Sequence, residues 1–351
     1  MSYIDPPGKL HYHADRILAI QRGEIVAPIN IEIDLSNRCS LGCEGCHFAY
    51  THSRGPLAHS VKPDGSVSTG DLMDTQLIKR VLMECVYAGV RSITWTGGGE
   101  PTLHPKFDEI IGYNPIPQGI YTNGVHIVSD RAELMKDKMT WVYISLDYAD
   151  RAKYQLHKKT DAFDRVISGI KHLRTAQGNA TIGIGFLLWK ENWRDTAAMI
   201  HLGRDLGADY VQFRPMIWFD LNNPGVVAED TAWMDELIPQ LEYWKGAPDV
   251  IVDVDRFRNY QHWAGHNYPV CWWSRLQAVI TPDGSLWTCV NRRGMDGDCL
   301  GNLHDEEFMS IWARHKEKEV DSRCRALCRG HIPNLTLNEL AKPLRGHKLF
   351  V

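Results

Sequence analysis

The chain is organised around the stretch IEIDLSNRCSLGCEGCHFAY, residues 31–50. A strand-like run from Asn30 to Leu35 leads into Cys39, Cys43 and Cys46, which stand at Cys-x3-Cys-x2-Cys spacing. Three thiolates this close can converge on one metal centre, and as ligands of a four-iron cluster they leave one iron without a protein ligand. Ordinary electron-transfer clusters take four cysteines, so an open iron is a place where a small chelating molecule can bind. The alternatives are a zinc site, which usually has a second cysteine pair, and three unrelated cysteines.

A second motif follows the next predicted strand, Val90–Thr96. It reads GGGEP and covers residues 97–101. A glycine run after a strand lets backbone amides approach a ligand closely, and a carboxylate beside it can bind an ammonium group. Taken alone, the segment fits a plain strand-to-helix turn. Its position downstream of the three cysteines favours a ligand site.

The pattern between residues 30 and 215 predicts six strand–helix units. Near-continuous apolar strands are typical of a parallel sheet, and six units are fewer than the eight of a closed barrel. Parallel-sheet enzymes place their chemistry at the carboxyl ends of the strands. The polar residues at or just past these predicted ends are Cys39, Glu100, Asn123, Ser145, Asp147 and Arg214.

The two motifs together resemble the signature of the radical S-adenosylmethionine (SAM) superfamily. The resemblance implies an α/β fold, a partial (β/α)6 TIM-like barrel. It also implies that Cys39, Cys43 and Cys46 ligate a [4Fe–4S] cluster whose open iron is chelated by the methionine part of SAM. One-electron reduction, from a donor of the flavodoxin or ferredoxin type, then yields a 5'-deoxyadenosyl radical.

The same resemblance assigns cofactor-binding residues. The segment that holds the SAM amino group in the superfamily corresponds to Gly98, Gly99 and Glu100. Two further segments lie near SAM in related enzymes, and Ser145 and Asp147 belong to the one beside the ribose. The other segment contains Thr122 and Asn123.

One position departs from the family pattern. The residue before the third cysteine is usually aromatic and lies near the adenine, whereas here it is Gly45. Phe48 or Tyr50 is then the candidate to pack against the adenine.

The C-terminal part holds a second cysteine set. Two apolar runs flank the turn sequence at residues 282–284 and predict a β-hairpin. Cysteines stand before it, after it and beyond the next predicted helix, at Cys271, Cys289, Cys299, Cys324 and Cys328. The pattern resembles the SPASM domain, or its shorter form Twitch, of many radical SAM enzymes.

This second resemblance implies a small β-hairpin/helix iron–sulfur domain with one auxiliary [4Fe–4S] cluster. The implied ligands are Cys271, Cys289, Cys324 and Cys328. A structural zinc with the same four ligands is the alternative. Cys299 is left over, either as a buried residue or as a replacement for one of the four.

Composition limits the class of protein. The 351 residues are 44% hydrophobic and 23% charged, as in ordinary soluble proteins. A net charge of −4 gives no general attraction for nucleic acid. The absence of a long apolar run or a signal peptide predicts a cytoplasmic protein without a membrane partner. Nine cysteines in such a chain favour metal ligation over disulfides.

These observations divide the chain into five predicted segments. They are an N-terminal arm (1–29), the radical SAM partial barrel (30–220), a connecting segment (221–265), the SPASM/Twitch-like domain (266–335) and a tail (336–351).

The leading functional hypothesis is an enzyme that cleaves SAM reductively and abstracts hydrogen from a small polar substrate of the sugar, amino-sugar or nucleotide type. The alternative is a maturase of ribosomal peptides. We expect it less because only about 29 residues precede the barrel, too few for a fused leader-binding domain. A non-catalytic iron–sulfur or zinc protein for electron transfer or scaffolding is the hypothesis from another class. Such a protein has no need of a SAM site or an open iron. The sequence names neither the acid–base residues nor the oligomeric state.

Overall fold

The computed structural model describes residues 6–46, 53–54, 72–218, 226–227, 229–294 and 297–342. Ten of its strands form one sheet. In chain order they are β1 (Asn30–Asp34), β2 (Ser92–Thr96), β3 (Gln118–Thr122), β4 (Trp141–Ser145), β5 (Thr181–Leu188), β6 (Tyr210–Pro215), β7 (Val250–Val252), β8 (Gln277–Ile280), β9 (Ser285–Trp287) and β10 (Cys299–Asn302).

Helices connect most of these strands and flank the sheet. They are α1 (Pro6–His11), α2 (Ala14–Gln21), α3 (Thr75–Ala88), α4 (Phe107–Tyr113), α5 (Ser129–Lys138), α6 (Arg151–Lys158), α7 (Phe163–Thr175), α8 (Thr196–Asp205), α9 (Met234–Trp244), α10 (Val254–Gln261), α11 (Phe308–Trp312) and α12 (His331–Leu340). Within the described ranges, no helix is long and apolar enough to cross a membrane.

The strand order is β10-β9-β8-β1-β2-β3-β4-β5-β6-β7. Every neighbouring pair from β8 to β7 runs parallel. Six successive parallel strands, β1 to β6, confirm the predicted partial barrel. The seventh, β7, lies in the connecting segment and was not predicted, because three residues are too few to show a periodic pattern.

Local sequence accounts for the element that follows the cysteine loop. Asp74 caps α3 by accepting a hydrogen bond from the Leu77 amide at 2.7 Å. Gly89 ends the helix in the left-handed conformation, with φ of 76°. The apolar face of α3, which includes Cys85, is buried in the core, as its spacing predicts.

The C-terminal hairpin continues the barrel sheet. β8 pairs in parallel with β1, with Ile31 opposite Ala278, while β9 and β10 follow antiparallel. Gly284 turns the hairpin with φ of 81°, a conformation that glycine adopts without strain. β1 therefore lies between β2 of the barrel and β8 of the C-terminal hairpin, so that both parts belong to one sheet.

Candidate active site and cysteine centres

The two N-terminal motifs are held together by backbone hydrogen bonds. The amide of Gly99 donates to the carbonyl of Ser36 at 3.0 Å, and the amide of Glu100 donates to the carbonyl of Arg38 at 2.7 Å. A Cβ atom at position 99 would collide with the backbone of Arg38. Only glycine permits this close approach, so the glycine run fixes Glu100 beside Cys39.

These motifs line a cavity of about 370 Å³ at the carboxyl ends of the parallel strands. Of the predicted residues, its lining includes Cys39, Cys43, Cys46, Gly99, Glu100, Thr122, Asn123, Ser145 and Asp147. Gly98 is not in this lining. Its amide hydrogen-bonds to Asp34, so its contribution to SAM binding stays a prediction.

The chemistry of the three thiols fits an iron–sulfur cluster. Burial, followed by the nearby charges of Glu100 and the other two thiols, raises the pKa of Cys39 to about 12. A thiol in this environment is protonated until a metal displaces the proton. The side-chain amide of Asn123 lies 3.9 Å from Cys39 Sγ and offers a hydrogen-bond donor to the sulfur.

The cysteines are not arranged as ligands of one ion. Among the described residues, no group of three histidine, cysteine or carboxylate side chains has the spacing of a single metal site. A four-iron cubane binds each thiolate at a different iron and therefore holds its ligands farther apart than one zinc ion does. Three half-buried thiols on one cavity wall are compatible with the cluster.

Glu100 joins the ends of two strands. Its buried carboxylate accepts hydrogen bonds from the Thr102 hydroxyl at 2.6 Å, the Thr122 hydroxyl at 2.7 Å and the Asn123 amide at 2.7 Å. Three of the predicted cofactor residues therefore form one network. The Asn123 amide donates to Oε2 of Glu100, the oxygen that has the fewer protein donors and therefore has acceptor capacity for a ligand.

Asp147 forms a buried ion pair with Lys158, a residue the sequence did not point to. Asp147 has a left-handed backbone, with φ of 61°, and its carboxylate also accepts from the Leu187 amide at 2.9 Å. Burial alone would lower the pKa of Lys158, but Asp147 and the Cys43 thiol together raise it. Lys158 is therefore a fixed positive charge in the cavity wall.

Met216 occupies the space beside Gly45. A Cβ atom at position 45 would collide with the Met216 side chain, and Met216 lines the cavity. A thioether can pack against a ring, which makes Met216 a further candidate for contact with the adenine. Phe48 and Tyr50 lie outside the described residues.

The second cysteine set also comes together. The charges of Cys271, Cys289 and Cys324 each act on the Cys328 thiol, whose pKa is raised to about 12, chiefly by burial. A buried amide, Asn334, donates to Cys271 Sγ at 3.2 Å. These four thiols fit a four-cysteine cluster. A hydrogen bond to one sulfur is one of the features that set the reduction potential of such clusters.

Cys299 lies apart from this set. It is exposed, and its Sγ contacts the carbonyl of Gly301 at 3.4 Å. Cys328, in contrast, lines the same cavity as the three N-terminal cysteines. The structure therefore places one cysteine of the C-terminal set in the wall of the cavity that the three N-terminal cysteines line, a juxtaposition that the sequence alone did not indicate.

Four arginines complete the cavity wall: Arg214, Arg256, Arg325 and Arg329. Of these, the sequence pattern pointed only to Arg214, at a strand end. The alternation of arginine with cysteine in residues 324–329 is a signal that could have identified two of the others.

Comparison with known proteins agrees with this geometry. Residues 33–203 match the sequence model of the radical SAM superfamily, and residues 271–330 match that of SPASM, an iron–sulfur cluster-binding domain. The second match supports iron–sulfur over zinc at the C-terminal cysteines.

Among curated proteins, the chain is 27% identical to a probable GTP 3',8-cyclase of Methanocella arvoryzae, over 54% of this chain and 54% of that protein. The chain spans about half the length of this and similar cyclases. It is 25% identical to the mycofactocin maturase MftC of Mycobacterium tuberculosis, over 82% of this chain and 70% of that protein.

Among solved structures, Streptococcus suis SuiB shares the fold. Its SAM complex has a TM-score of 0.62 at 15% identity and covers 88% of this chain and 72% of SuiB. Its complex with the precursor peptide SuiA has a TM-score of 0.61 at 15% identity and covers 89% and 70%. At this identity the likeness is one of fold.

Proposed function

This chain belongs to the radical SAM superfamily and carries a C-terminal SPASM domain, and we propose that it abstracts a hydrogen atom from a peptide. It is an enzyme whose radical SAM domain binds a [4Fe–4S] cluster and SAM and whose SPASM domain binds auxiliary iron–sulfur. When bound, the first cluster supplies the electron that cleaves SAM to a 5'-deoxyadenosyl radical, which takes hydrogen from the substrate.

The observation that carries the proposal is the shared cavity. Cys328 of the C-terminal set lines the same space as Cys39, Cys43 and Cys46. A substrate in this space lies within reach of both centres, so hydrogen abstraction at one and electron transfer to the other can act on one molecule.

The protein's own residues prepare the space for this chemistry. Glu100 and its hydroxyl and amide donors fix the SAM end, since the network ties the glycine turn to the end of β3. Leu187, Trp189 and Ile217 form apolar parts of the wall. An apolar wall excludes water, which would otherwise compete for a reactive radical.

The similarity to the maturase supports a peptide substrate. The match to MftC extends over 82% of the chain and so is not confined to the radical SAM domain. The length of the match matters because the cavity wall also includes residues 290–291 and 325–329, which lie beyond the radical SAM match at residues 33–203. The fold is also that of SuiB, which has been solved with a precursor peptide.

A small polar molecule of the nucleotide or sugar type is the second candidate. The cyclase relatives favour it, and a cavity of about 370 Å³ lies within the usual range of roughly 300–1,000 Å³ for small-molecule sites.

Anaerobic reconstitution followed by SAM and dithionite tests the enzymatic part. We expect 5'-deoxyadenosine from wild type and from Cys299→Ala, which removes a cysteine outside both sets. We expect none from the Cys39→Ala/Cys43→Ala/Cys46→Ala variant. Near-normal cleavage by this triple variant would rule out the N-terminal ligand assignment.

Isotope transfer tests the substrate class. Deuterated synthetic peptides and deuterated nucleotides are supplied in separate reactions, and deuterium in 5'-deoxyadenosine is measured by mass spectrometry. Transfer from a peptide supports the proposal. Transfer from nucleotides alone would replace it with the second candidate.

A further inference from the structure

The charges that line the cavity do not balance. The described lining contains the cations Lys158, Arg214, Arg256, Arg325 and Arg329 and the carboxylates Glu32, Glu44, Glu100 and Asp147. Each carboxylate already has protein partners. Asp147 pairs with Lys158, Glu32 with Arg329 and Glu44 with His157, while Glu100 accepts from uncharged donors.

Arg214 enters the cavity without a carboxylate partner among the described residues. Its guanidinium donates to the Tyr143 hydroxyl at 2.7 Å and lies 4.9 Å from the centre of the Tyr143 ring and 5.8 Å from that of Tyr121. Its Nε is buried and has no hydrogen-bond partner in the described part of the chain. The two tyrosines fix the direction of the side chain but do not neutralise it.

Arg256 reaches the same cavity from α10. Its guanidinium donates to the Leu327 carbonyl at 3.2 Å, and its Nε is likewise buried and unpartnered within the described ranges. Burial, and then the positive charge of Arg214, lower the pKa of Arg256 to about 10. Both guanidinium groups line the same cavity, and the charge of Arg214 acts against that of Arg256.

Two like charges in one cavity wall, each half-buried with a buried Nε that lacks a partner in the described ranges, are costly unless an anion joins them. A guanidinium presents its donors in a planar fork that matches carboxylate and phosphate oxygens. Arg214 and Arg256 come from the barrel and from the helix after β7, so a bound anion would bridge two parts of the wall.

We propose that Arg214 and Arg256 together bind an anionic oxygen group of the substrate, a carboxylate or a phosphate. The inference rests on the proposed function only in placing the substrate in this cavity. The anionic group anchors the substrate at the arginines and leaves its remainder facing the SAM end of the cavity.

Two other anions compete for this role. The carboxylate of SAM is one, and the C-terminal cluster is the other, since the Cys328 charge acts on Arg256. Both are therefore kept in place during the test, by saturating SAM and by full reconstitution of the holoenzyme.

The test is anaerobic titration calorimetry with two probes. Inorganic phosphate is compared with chloride at equal ionic strength, and N-acetylglycine with N-acetylglycinamide, which lacks the carboxylate. We expect one of the two anions to bind, and Arg214→Gln and Arg256→Gln each to weaken it by about tenfold or more, as for loss of a charge-assisted bond. Tighter phosphate binding would indicate a phosphorylated substrate, and tighter N-acetylglycine binding a carboxylate-bearing one.

Arg258→Gln is the matched control. Arg258 lies on the same helix but is exposed and pairs with Glu242 and Asp255. We therefore expect the anion affinity of Arg258→Gln to stay within about twofold of the wild-type value, as for loss of a surface ion pair. Iron content verifies that each variant is folded, and Arg214→Gln carries the test if Arg256→Gln does not fold.

Three results would overturn the inference. They are no binding of either anion, binding that saturating SAM abolishes, or an anion affinity that is unchanged in both Arg214→Gln and Arg256→Gln. Because the readout is binding, it is independent of 5'-deoxyadenosine formation. Anion binding without SAM cleavage would count against the proposed function, and cleavage without anion binding against this inference.

Discussion

At the scale of single residues, Glu100 has two tasks that can be separated. It lines the cavity, where a carboxylate can face the SAM ammonium, and it holds the ends of two strands through Thr102, Thr122 and Asn123. The sequence motif predicted the first task. The second appears only when β2 and β3 are side by side.

Glu100→Gln should weaken SAM binding. The substitution removes the charge facing the ammonium group, and a charge-assisted bond is worth roughly 1.5–3 kcal/mol, or about 10- to 150-fold in affinity. The dissociation constant for SAM, measured anaerobically by equilibrium binding, checks this.

Thr122→Val is the control for Glu100. It removes one hydrogen bond to the carboxylate but leaves the charge, so we expect a smaller loss of SAM affinity. Equal losses in the two variants would mean that Glu100 acts by shaping the turn, and an unchanged constant in Glu100→Gln would lead to the same conclusion.

At the scale of elements, β1 connects the two halves of the molecule. It pairs with β2 on one side and β8 on the other. At its end the fully buried Asp34 pairs with Arg293 at 2.6 Å, and Arg293 also donates to the carbonyl of Gly97 at 3.0 Å. One arginine of the C-terminal region therefore fixes the glycine turn of the barrel.

Arg293→Met should destabilise the protein by about 3–5 kcal/mol, because it leaves the Asp34 carboxylate buried without its cation. Anaerobic denaturant unfolding of the holoenzyme measures the change. Arg314→Met is the comparison, since Arg314 pairs with Glu306 on the surface, and it should cost less than about 1 kcal/mol.

The double variant Asp34→Asn/Arg293→Met separates the cost of an unpaired buried charge at Asp34 from the loss of the other contacts of Arg293. It should recover part of the stability lost in Arg293→Met, because no unpaired charge remains buried. A double variant with the same stability as Arg293→Met would show that Arg293 acts mainly through its bond to Gly97.

At the scale of the whole molecule, the prediction concerns two iron–sulfur centres on one cavity. Wild type should reconstitute to about eight irons, the sum of two four-iron cubanes. The triple variant of Cys39, Cys43 and Cys46 should keep about half. Iron and zinc analysis of purified protein measures this, and about four irons with one zinc in wild type would contradict the C-terminal cluster ligands.

Cys324→Ala separates the two centres by function. We expect 5'-deoxyadenosine formation to continue while product formation is lost, because the first cluster is intact and the second is not. Joint loss of both activities would indicate a folding defect. Unchanged product formation would mean that the C-terminal region serves as a wall without a redox task.

The substrate class illustrates a limit of reading the chain alone. The sequence favours a small polar molecule, whereas the similarity to a curated maturase supports the peptide alternative better. No short motif records this difference, since the cavity wall is assembled from separate segments of the chain.

Sequence alone determined the partial barrel, the family and its two kinds of iron–sulfur centre. Cysteine spacing, the glycine–glutamate turn and the succession of apolar strands are local patterns, and each depends on residues that are near neighbours in the chain. These predictions are confirmed by the parallel sheet and by the matches to both domains.

Tertiary structure alone decided which distant residues share the site. The C-terminal region brings Cys328 to the cavity of Cys39, and α10 brings Arg256 to the same cavity as Arg214. Their contacts join residues far apart in the chain, so no local period encodes them. They follow from burial of the sheet faces and helices in a common core, which fixes where each polar side chain at an element's end must lie.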